Sequence, residues 1–291
     1  MLNINTNYAA SFAANAAKQS SSGLDSAMEK LSSGSRINYA KDDAAGQAIS
    51  TRMTAEIQGL AMASRNAADA QSLVDTADGA LGETHNLLLR MRELSVQASN
   101  GTLNSDDATA LDAEMGQLIA EVERVAQNTT WAGNSLLNGA GTAAGGKAFS
   151  FQIGTGGSSS NQVGFSIDNM RAVELGLVTT DANNNRDFDT GDTRLNITSN
   201  PSGAISVIDN AIKKVSEARS ELGAFSNRLS STISNLDQVS VNLSASKGRI
   251  QDADFATETG NLAKNQILQQ AATAMLAQAN ASKGSVLTLI N

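Results

Sequence analysis

The sequence predicts a mainly α-helical protein. Both halves of the chain form a long antiparallel helical bundle or coiled coil, with a small β-hairpin region at its centre. Three observations carry that expectation. Residues 204–250 hold an apolar stripe at alternating spacings of three and four, and residues 53–98 carry a second stripe of the same kind. The 291 residues contain one proline, Pro201, so almost nothing interrupts a helix. Aromatic residues make up 3 % of the chain against 41 % hydrophobics; the apolar content is therefore aliphatic and small, which suits helices lying close side by side.

Taken in order, the first thirty residues place Ile4, Tyr8, Phe12, Ala16, Leu24, Met28 and Leu31 at helical spacing. The stretch LSSGSRINYAKDDAAGQAIS (31–50) then stops the helix at SSG and reads as a connection over 32–43. Asp42 and Asp43 precede the next helical run, where carboxylates favour the N-terminus, and Arg36 and Lys41 face acidic neighbours. The second helix keeps Met53, Ile57, Leu60, Ala63, Ala67, Ala70, Val74, Ala77, Leu81, Thr84, Leu88, Met91, Leu94 and Ala98 on one face. Gly79 and Gly82 weaken it locally, each by about 1 kcal/mol against Ala. NGTLNSDD (100–107) ends it and opens a third helix, with Ser105 as N-cap and Leu111, Met115, Leu118, Val122 and Val125 on its apolar face.

In the centre the pattern switches to period two. FSFQI (149–153) and VGFSI (163–167) flank a polar GTGGSSSNQ, which reads as a β-hairpin with a long tip. Residues 179–203, rich in Asn, Asp and Thr, read as a surface excursion. The long helix of 204–250 follows, roughly 70 Å at 1.5 Å per residue. The last thirty residues continue the 3/4 spacing through Leu268, Ala272, Met275, Ala279, Ser282, Val286 and Leu289. The expected organisation is a terminal-helix coiled coil of residues 1–42 plus 251–291. A helical bundle with hairpin follows, 43–178 plus 200–250, and a short variable excursion occupies 179–199.

The termini are the most informative part. Chain ends are usually polar and frayed; these hold their pattern almost throughout. Their seams are heavy in Ala and Ser, so at ~25 cal/mol/Å² a two-helix pair gains too little to offset its ordering entropy. Either the ends pack on the bundle or they borrow further copies of the chain. The second alternative is a sequence argument for polymerisation, with Ile4, Tyr8, Phe12, Leu24, Met28, Leu31, Leu268, Met275, Val286 and Leu289 as the polymerisation core.

Several function classes are poorly supported. A net charge of −8 argues against a nucleic-acid partner. No run approaches the ~18 apolar residues of a membrane span, and MLNINTNYAASFAANAA lacks the basic start of a secretory signal. There is no cysteine, and His85, the one histidine, reads as a packing or surface residue on a long helix. No catalytic constellation, enzyme activity or cofactor is expected. One spacing fits an oxygen-lined Ca²⁺ loop: Asp181, Asn183, Asn185, Asp187, Asp189 and Asp192 stand at positions 1-3-5-7-9-12. Arg186 sits where the turn wants Gly and position 12 is the shorter Asp, so a solvated acidic loop is the other reading.

LSSGSRINYAKDDAAGQAIS resembles the N-terminal signature of bacterial flagellin, the subunit of the flagellar filament. TRMTAEIQGLAMASRNAADAQSLVDTADGAL (51–81), RMRELSVQASNGT (90–102) and NTTWAGNSLLNG (128–139) agree with it, as do LGAFSNRL (222–229), RIQDADFATETGNLAKNQILQQAATAMLAQAN (249–280) and VLTLIN (286–291). The likeness covers roughly residues 1–140 and 204–291, in family order and spacing. It implies terminal helices lining the filament inner core and a bundle with hairpin forming the outer core. Self-assembly into an open helical homopolymer for swimming motility follows from it. So does export by the flagellar type III apparatus without a cleaved signal peptide, to an extracellular flagellum.

The implied partners are an export chaperone on the C-terminal helix, filament cap and hook-junction proteins, and the host Toll-like receptor for flagellin. For that receptor Arg90, Leu94 and Glu114 occupy matching positions, while Leu89 replaces a polar residue. The small insertion implies little outer domain. A hook–filament junction protein or a flagellin-like surface adhesin are the alternatives.

Overall fold

A computed structural model describes residues 6–100, 102–139, 146–179, 193–198 and 200–288, with side chains up to residue 282. Five helices dominate: α1 (Tyr8–Ser33), α2 (Ala44–Ala98), α3 (Ser105–Asn128), α4 (Pro201–Gln251) and α5 (Phe255–Thr288). Between α3 and α4 lie three two-stranded antiparallel ladders. They pair β1 (Thr130–Trp131) with β2 (Asn134–Ser135), β3 (Lys147–Gln152) with β4 (Gln162–Ile167), and β5 (Val178–Thr179) with β6 (Thr193–Arg194).

The chain divides into two compact units, Met1–Gln58 with Ser240–Asn291, and Gly59–Val239. The division falls inside α2 and α4, so both long helices contribute to each unit.

In the second unit α2 buries the face its spacing predicts: Leu60, Ala63, Ala67, Ala70, Val74, Ala77, Leu81, Thr84, Leu88, Met91 and Leu94. The helix tolerates Gly79 and Gly82 in its interior. On α4, Ala204, Ile208, Ala211, Val215, Leu222, Phe225, Leu229 and Leu236 are buried. The hairpin lays Phe149 opposite Phe165, and Phe165 meets Phe225 of α4 with ring centroids 4.4 Å apart. Asn66 of α2 donates to the Gln152 carbonyl at 2.9 Å, which secures the end of β3.

Helix α3 corrects two expectations. Its N-cap is Asn104, not Ser105: the Asn104 side chain accepts from Asp107 N at 2.7 Å and Asp107 reaches back in a capping box. Its fully buried face is Asp112, Met115, Ile119, Val122, Glu123 and Ala126. Met115 and Val122 belong to the expected stripe and Leu111 and Leu118 pack half-buried against the core, but the centre of the face is rotated toward Ile119 and Ala126.

That rotation brings two carboxylates inside, and each holds a non-helical segment. Glu123 accepts from Arg171 Nε at 2.6 Å and Ala172 N at 2.9 Å. Asp112 accepts from Arg194 at 2.7 Å and from Ile197 N at 3.2 Å. Residues 193–198, expected within the surface excursion, thus return to the core, where Ile197 is fully buried. Gly116 lies beneath this pair: a Cβ there would fall 1.8 Å from an Arg194 guanidinium nitrogen, which would have to move aside.

Three substitutions check this packing. Leu88→Ala should cost about 2–5 kcal/mol in urea unfolding, the range for an emptied core leucine. Its exposed neighbour Leu89→Ala should stay within about 0.5 kcal/mol. Glu123→Ala should lose about 1–3 kcal/mol, because it removes the buried acceptor of the Arg171 Nε and Ala172 N hydrogen bonds.

Candidate assembly surface

In the first unit α1 and α5 pair along most of their length. The residues that face α5 recur by sevens: Ala13, Ser20 and Ala27 are buried, with Ala10, Ala17, Leu24 and Leu31 half-buried between them. On α5 the matching positions are Glu258, Leu262, Asn265, Gln269, Ala272, Leu276 and Ala279, of which Ala272 and Ala279 are buried. Small side chains let the helices approach closely. At Gly23 an added Cβ would fall 2.8 Å from the Asn265 amide. Asn7 caps α1 by accepting from Ala10 N at 3.1 Å and donates to the Ala279 carbonyl at 3.2 Å.

The expected single stripe therefore resolves into two. Leu24 and Leu31 serve the seam within the chain. Tyr8, Phe12, Met28, Leu268 and Met275 do not: Tyr8 is 88 % and Phe12 71 % exposed, and Phe255 and Ile267 stand out beside them. Spacings of three and four alone did not separate these faces, because on a helix positions i and i+1 flank the same seam at about 100°. Phe12 and Met275 share an apolar hollow of about 330 Å³ with Ala9, Ala13 and Ala279. Ile4 and Leu289 lie outside the described residues, as does the side chain of Val286.

The two chain crossings of this unit clasp one another. Ser35 and Asp252 form an antiparallel bridge, Arg36 N donates to the Gln251 carbonyl at 2.7 Å, and Ala253 N donates to the Gly34 carbonyl at 2.9 Å. Gly34 adopts φ 69°, the left-handed turn that ends α1. The Arg36 guanidinium donates to the Ile250 carbonyl at 2.7 Å, satisfying the last turn of α4, and stands 3.8 Å from Asp43. Ser50 donates to the Gln251 side chain at 3.0 Å, and Lys30 pairs with Glu258 at 3.3 Å.

The two aspartates divide their work. Asp43 caps α2 through Gly46 N at 2.8 Å. Asp42 instead binds Asn38 N and Tyr39 N, at 3.2 and 3.0 Å, holding the turn before it. Lys41 is not set against an acid alone; its ammonium lies over the Tyr39 ring at 4.7 Å.

The expected receptor patch is only partly at the surface. Arg90 donates to Glu114 at 2.9 and 3.1 Å and to Glu93 at 3.1 Å. Leu94, however, is 1 % exposed and packs in the core, because it continues the α2 stripe through Leu88 and Met91. It cannot be touched from outside, and Leu89 is the exposed apolar residue of this turn. His85 is half-buried on α2. The residues of the Ca²⁺ spacing, Asp181, Asn183, Asn185, Asp187, Asp189 and Asp192, lie outside the described residues. Among the described residues no group of three acidic or imidazole side chains is arranged for a metal, and no helix is long and apolar enough to cross a membrane.

Hydrogen bonds hold two aspartates of this unit below the ordinary carboxyl value. The Tyr39 and Asn38 amides hold the Asp42 carboxyl below its ordinary value of 3.8. Hydrogen bonds from the Thr257 hydroxyl and amide and from Ala256 N do the same for Asp254, at the start of α5. A depressed carboxyl contributes stability that is complete above the ordinary value and is lost as pH falls through the lower folded one. The Tyr39 and Thr257 amide resonances should titrate with midpoints below 3.8; midpoints at or above it would show that these hydrogen bonds do not hold either carboxylate. Asp254→Asn should abolish the Thr257 titration and leave that of Tyr39 intact.

Comparison with known proteins agrees with this architecture. Residues 4–142 match the bacterial flagellin N-terminal helical region and residues 205–290 the bacterial flagellin C-terminal helical region. A flagellin of Halalkalibacterium halodurans is 43 % identical over 264 residues, 91 % of this chain and 90 % of that one. A flagellin of Bacillus subtilis is 41 % identical over 99 % of this chain and all of that one. The flagellar filament 33 kDa core protein of Treponema phagedenis is 38 % identical over 99 % of both. Matched at both ends and over nearly its whole length, the chain belongs to the bacterial flagellin family.

Proposed function

We propose that this chain is the structural subunit of a bacterial flagellar filament, polymerising with itself into an open helical homopolymer that serves motility. The observation that carries the reading is the terminal pair, which spends its alanines internally and leaves Tyr8, Phe12, Ile267, Leu268 and Met275 uncovered. Scattered exposed apolar residues are ordinary; two aromatic and several aliphatic ones on one two-helix pair suit a surface covered by further copies. Repeated head-to-tail contact of this kind does not close and so grows a filament.

The polymerisation core is Tyr8, Phe12, Met28, Leu268 and Met275 facing outward, with Leu24 and Leu31 supporting the pair from within; Ile4, Val286 and Leu289 belong to it by their sequence spacing. Residues 1–42 with 251–291 then form the inner core of the filament, and 43–178 with 200–250 the outer core. Arg36, Lys41, Asp42 and Asp43 hold the connection between them. The subunit is exported without a cleaved signal peptide and works outside the cell as a structural protein, not an enzyme. An export chaperone covers the C-terminal helix before assembly, and cap and hook-junction proteins meet the polymer at its ends. Arg90 and Glu114 remain the surface part of a receptor patch. A hook–filament junction protein, the rival reading, is disfavoured by relatives that are flagellins over the full length.

Deleting residues 1–30 or 262–291 should abolish filament growth at concentrations where the full chain elongates, as seen by electron microscopy. Filaments of normal length from either truncated protein would defeat the proposal. Phe12→Asp should raise the concentration needed for growth while leaving the urea unfolding midpoint of the second unit unchanged.

A further inference from the structure

With no cysteine in the chain, methionine is its only oxidisable sulfur. Met91, Met115 and Met170 are buried in the second unit. Met28 and Met275 are 54 % and 52 % exposed, and both belong to the terminal pair. Met275 also lines the hollow it shares with Phe12, where its remaining neighbours are Ala9, Ala13, Ala279, Gln278 and Ser282. Among the described residues no ionisable side chain lines that hollow, so a new polar group on Met275 meets there only the Gln278 amide and the Ser282 hydroxyl once a neighbour covers it.

We infer that Met275, with Met28 as a second position, is an oxidation site through which peroxide switches off assembly; the inference rests on the terminal pair being the assembly surface. In the reaction the thioether sulfur attacks one oxygen of hydrogen peroxide. An S–O bond forms as the O–O bond breaks, sulfur loses two electrons, and the peroxide is reduced to water. The product sulfoxide is a polar, chiral group in place of a flexible apolar one. In the free chain it stays hydrated at no cost. In the polymer it must be buried without adequate partners, which disfavours the assembled state. Oxidation therefore acts on assembly and not on the fold. Methionine sulfoxide reductases reverse it.

The experiment takes purified full-length monomer, treats it with hydrogen peroxide, and locates sulfoxides by peptide mass spectrometry. Light scattering and electron microscopy then read the critical concentration for polymerisation. Sulfoxide at Met275 and Met28 should precede sulfoxide at Met91, Met115 and Met170. The critical concentration should rise about tenfold or more, equivalent to at least about 1.4 kcal/mol. Met28→Leu combined with Met275→Leu should polymerise at the untreated concentration in the presence of peroxide, and Met275→Gln should mimic the oxidised chain without it. Treatment of the oxidised wild type with the two sulfoxide reductases should restore growth.

Three results would overturn the inference: an unchanged critical concentration with Met275 fully oxidised, a double leucine variant as sensitive as wild type, or failure of the reductases to restore growth. A double variant that responds like wild type would move the effect to a methionine outside this pair, such as Met62, which is exposed in the second unit. An untreated chain that does not polymerise at all removes the assembly reading, and this inference with it.

Discussion

A helix offers a neighbouring helix one stripe, and what fills that stripe decides what is left over. In α1 and α5 the stripe is built from Ala13, Ser20 and Ala27 against Ala272 and Ala279. At ~0.8 kcal/mol per buried CH₂, such side chains contribute little each. The gain from small residues is proximity, visible where Gly23 admits Asn265. The cost is that Tyr8, Phe12, Met28, Ile267, Leu268 and Met275 stand outside the seam, in which Leu24, Leu31, Leu262 and Leu276 keep half-buried places. The second unit follows the opposite rule: Leu73, Leu81, Leu88, Met91, Met115 and Ile119 are wholly enclosed. One polypeptide thus contains a region that completes its own interior and a region that does not, and the difference lies in which residue sizes occupy the seam.

A weakly buried pair needs another source of alignment, and the clasp supplies one. Its bonds are mostly backbone: the Ser35–Asp252 bridge and the amides of Arg36 and Ala253 on carbonyls of Gln251 and Gly34. Backbone bonds fix register without demanding apolar area, and a slip of α1 along α5 would break them together. Arg36 adds a charge-assisted bond to the Ile250 carbonyl, at the negative end of α4 where a cation is favoured. Its ion pair with Asp43 at 3.8 Å is half exposed and adds little. The arginine is therefore better understood as a helix cap than as half of a salt bridge. That explains why the connection carries charges of both signs: the cation ends one helix, while Asp43 begins another and Asp42 shapes the turn between.

Much of this was legible in the sequence where one period dominated. The stripes of α2 and α4 are the buried faces because fifty-odd residues leave no other solution to a 3.6-residue repeat, and Phe149, Phe151, Val163 and Phe165 announced the hairpin by alternating. Legibility failed where two faces competed. Tyr8, Phe12, Leu268 and Met275 fit a 3/4 count as well as the true seam does, since one-dimensional spacing weighs bulk above smallness. On α3 the set 112-115-119-122-126 is an equally good helical face, but it was hidden because Asp112 is charged at its edge; Glu123 lies beside it. A buried carboxylate becomes readable only when its partners, Arg171 and Arg194, are known to return to it from far along the chain. Leu94 was misplaced for the converse reason: resemblance supplied a role, while its own stripe already required it inside.

Both helices of the terminal pair expose apolar residues. From α1 come two aromatic rings and a thioether, Tyr8, Phe12 and Met28; from α5 come Phe255, Ile267, Leu268 and Met275. Phe12 and Met275 meet in one hollow, so the uncovered area is built by both helices together. A two-fold contact brings the same patch of each copy together and closes at a dimer, whereas contact between two different patches propagates. The chain carries a net charge of −8, which opposes indiscriminate association. Assembly then requires that several modest contacts form at once. A surface balanced in this way can be tipped by a change as small as one oxygen atom on one sulfur.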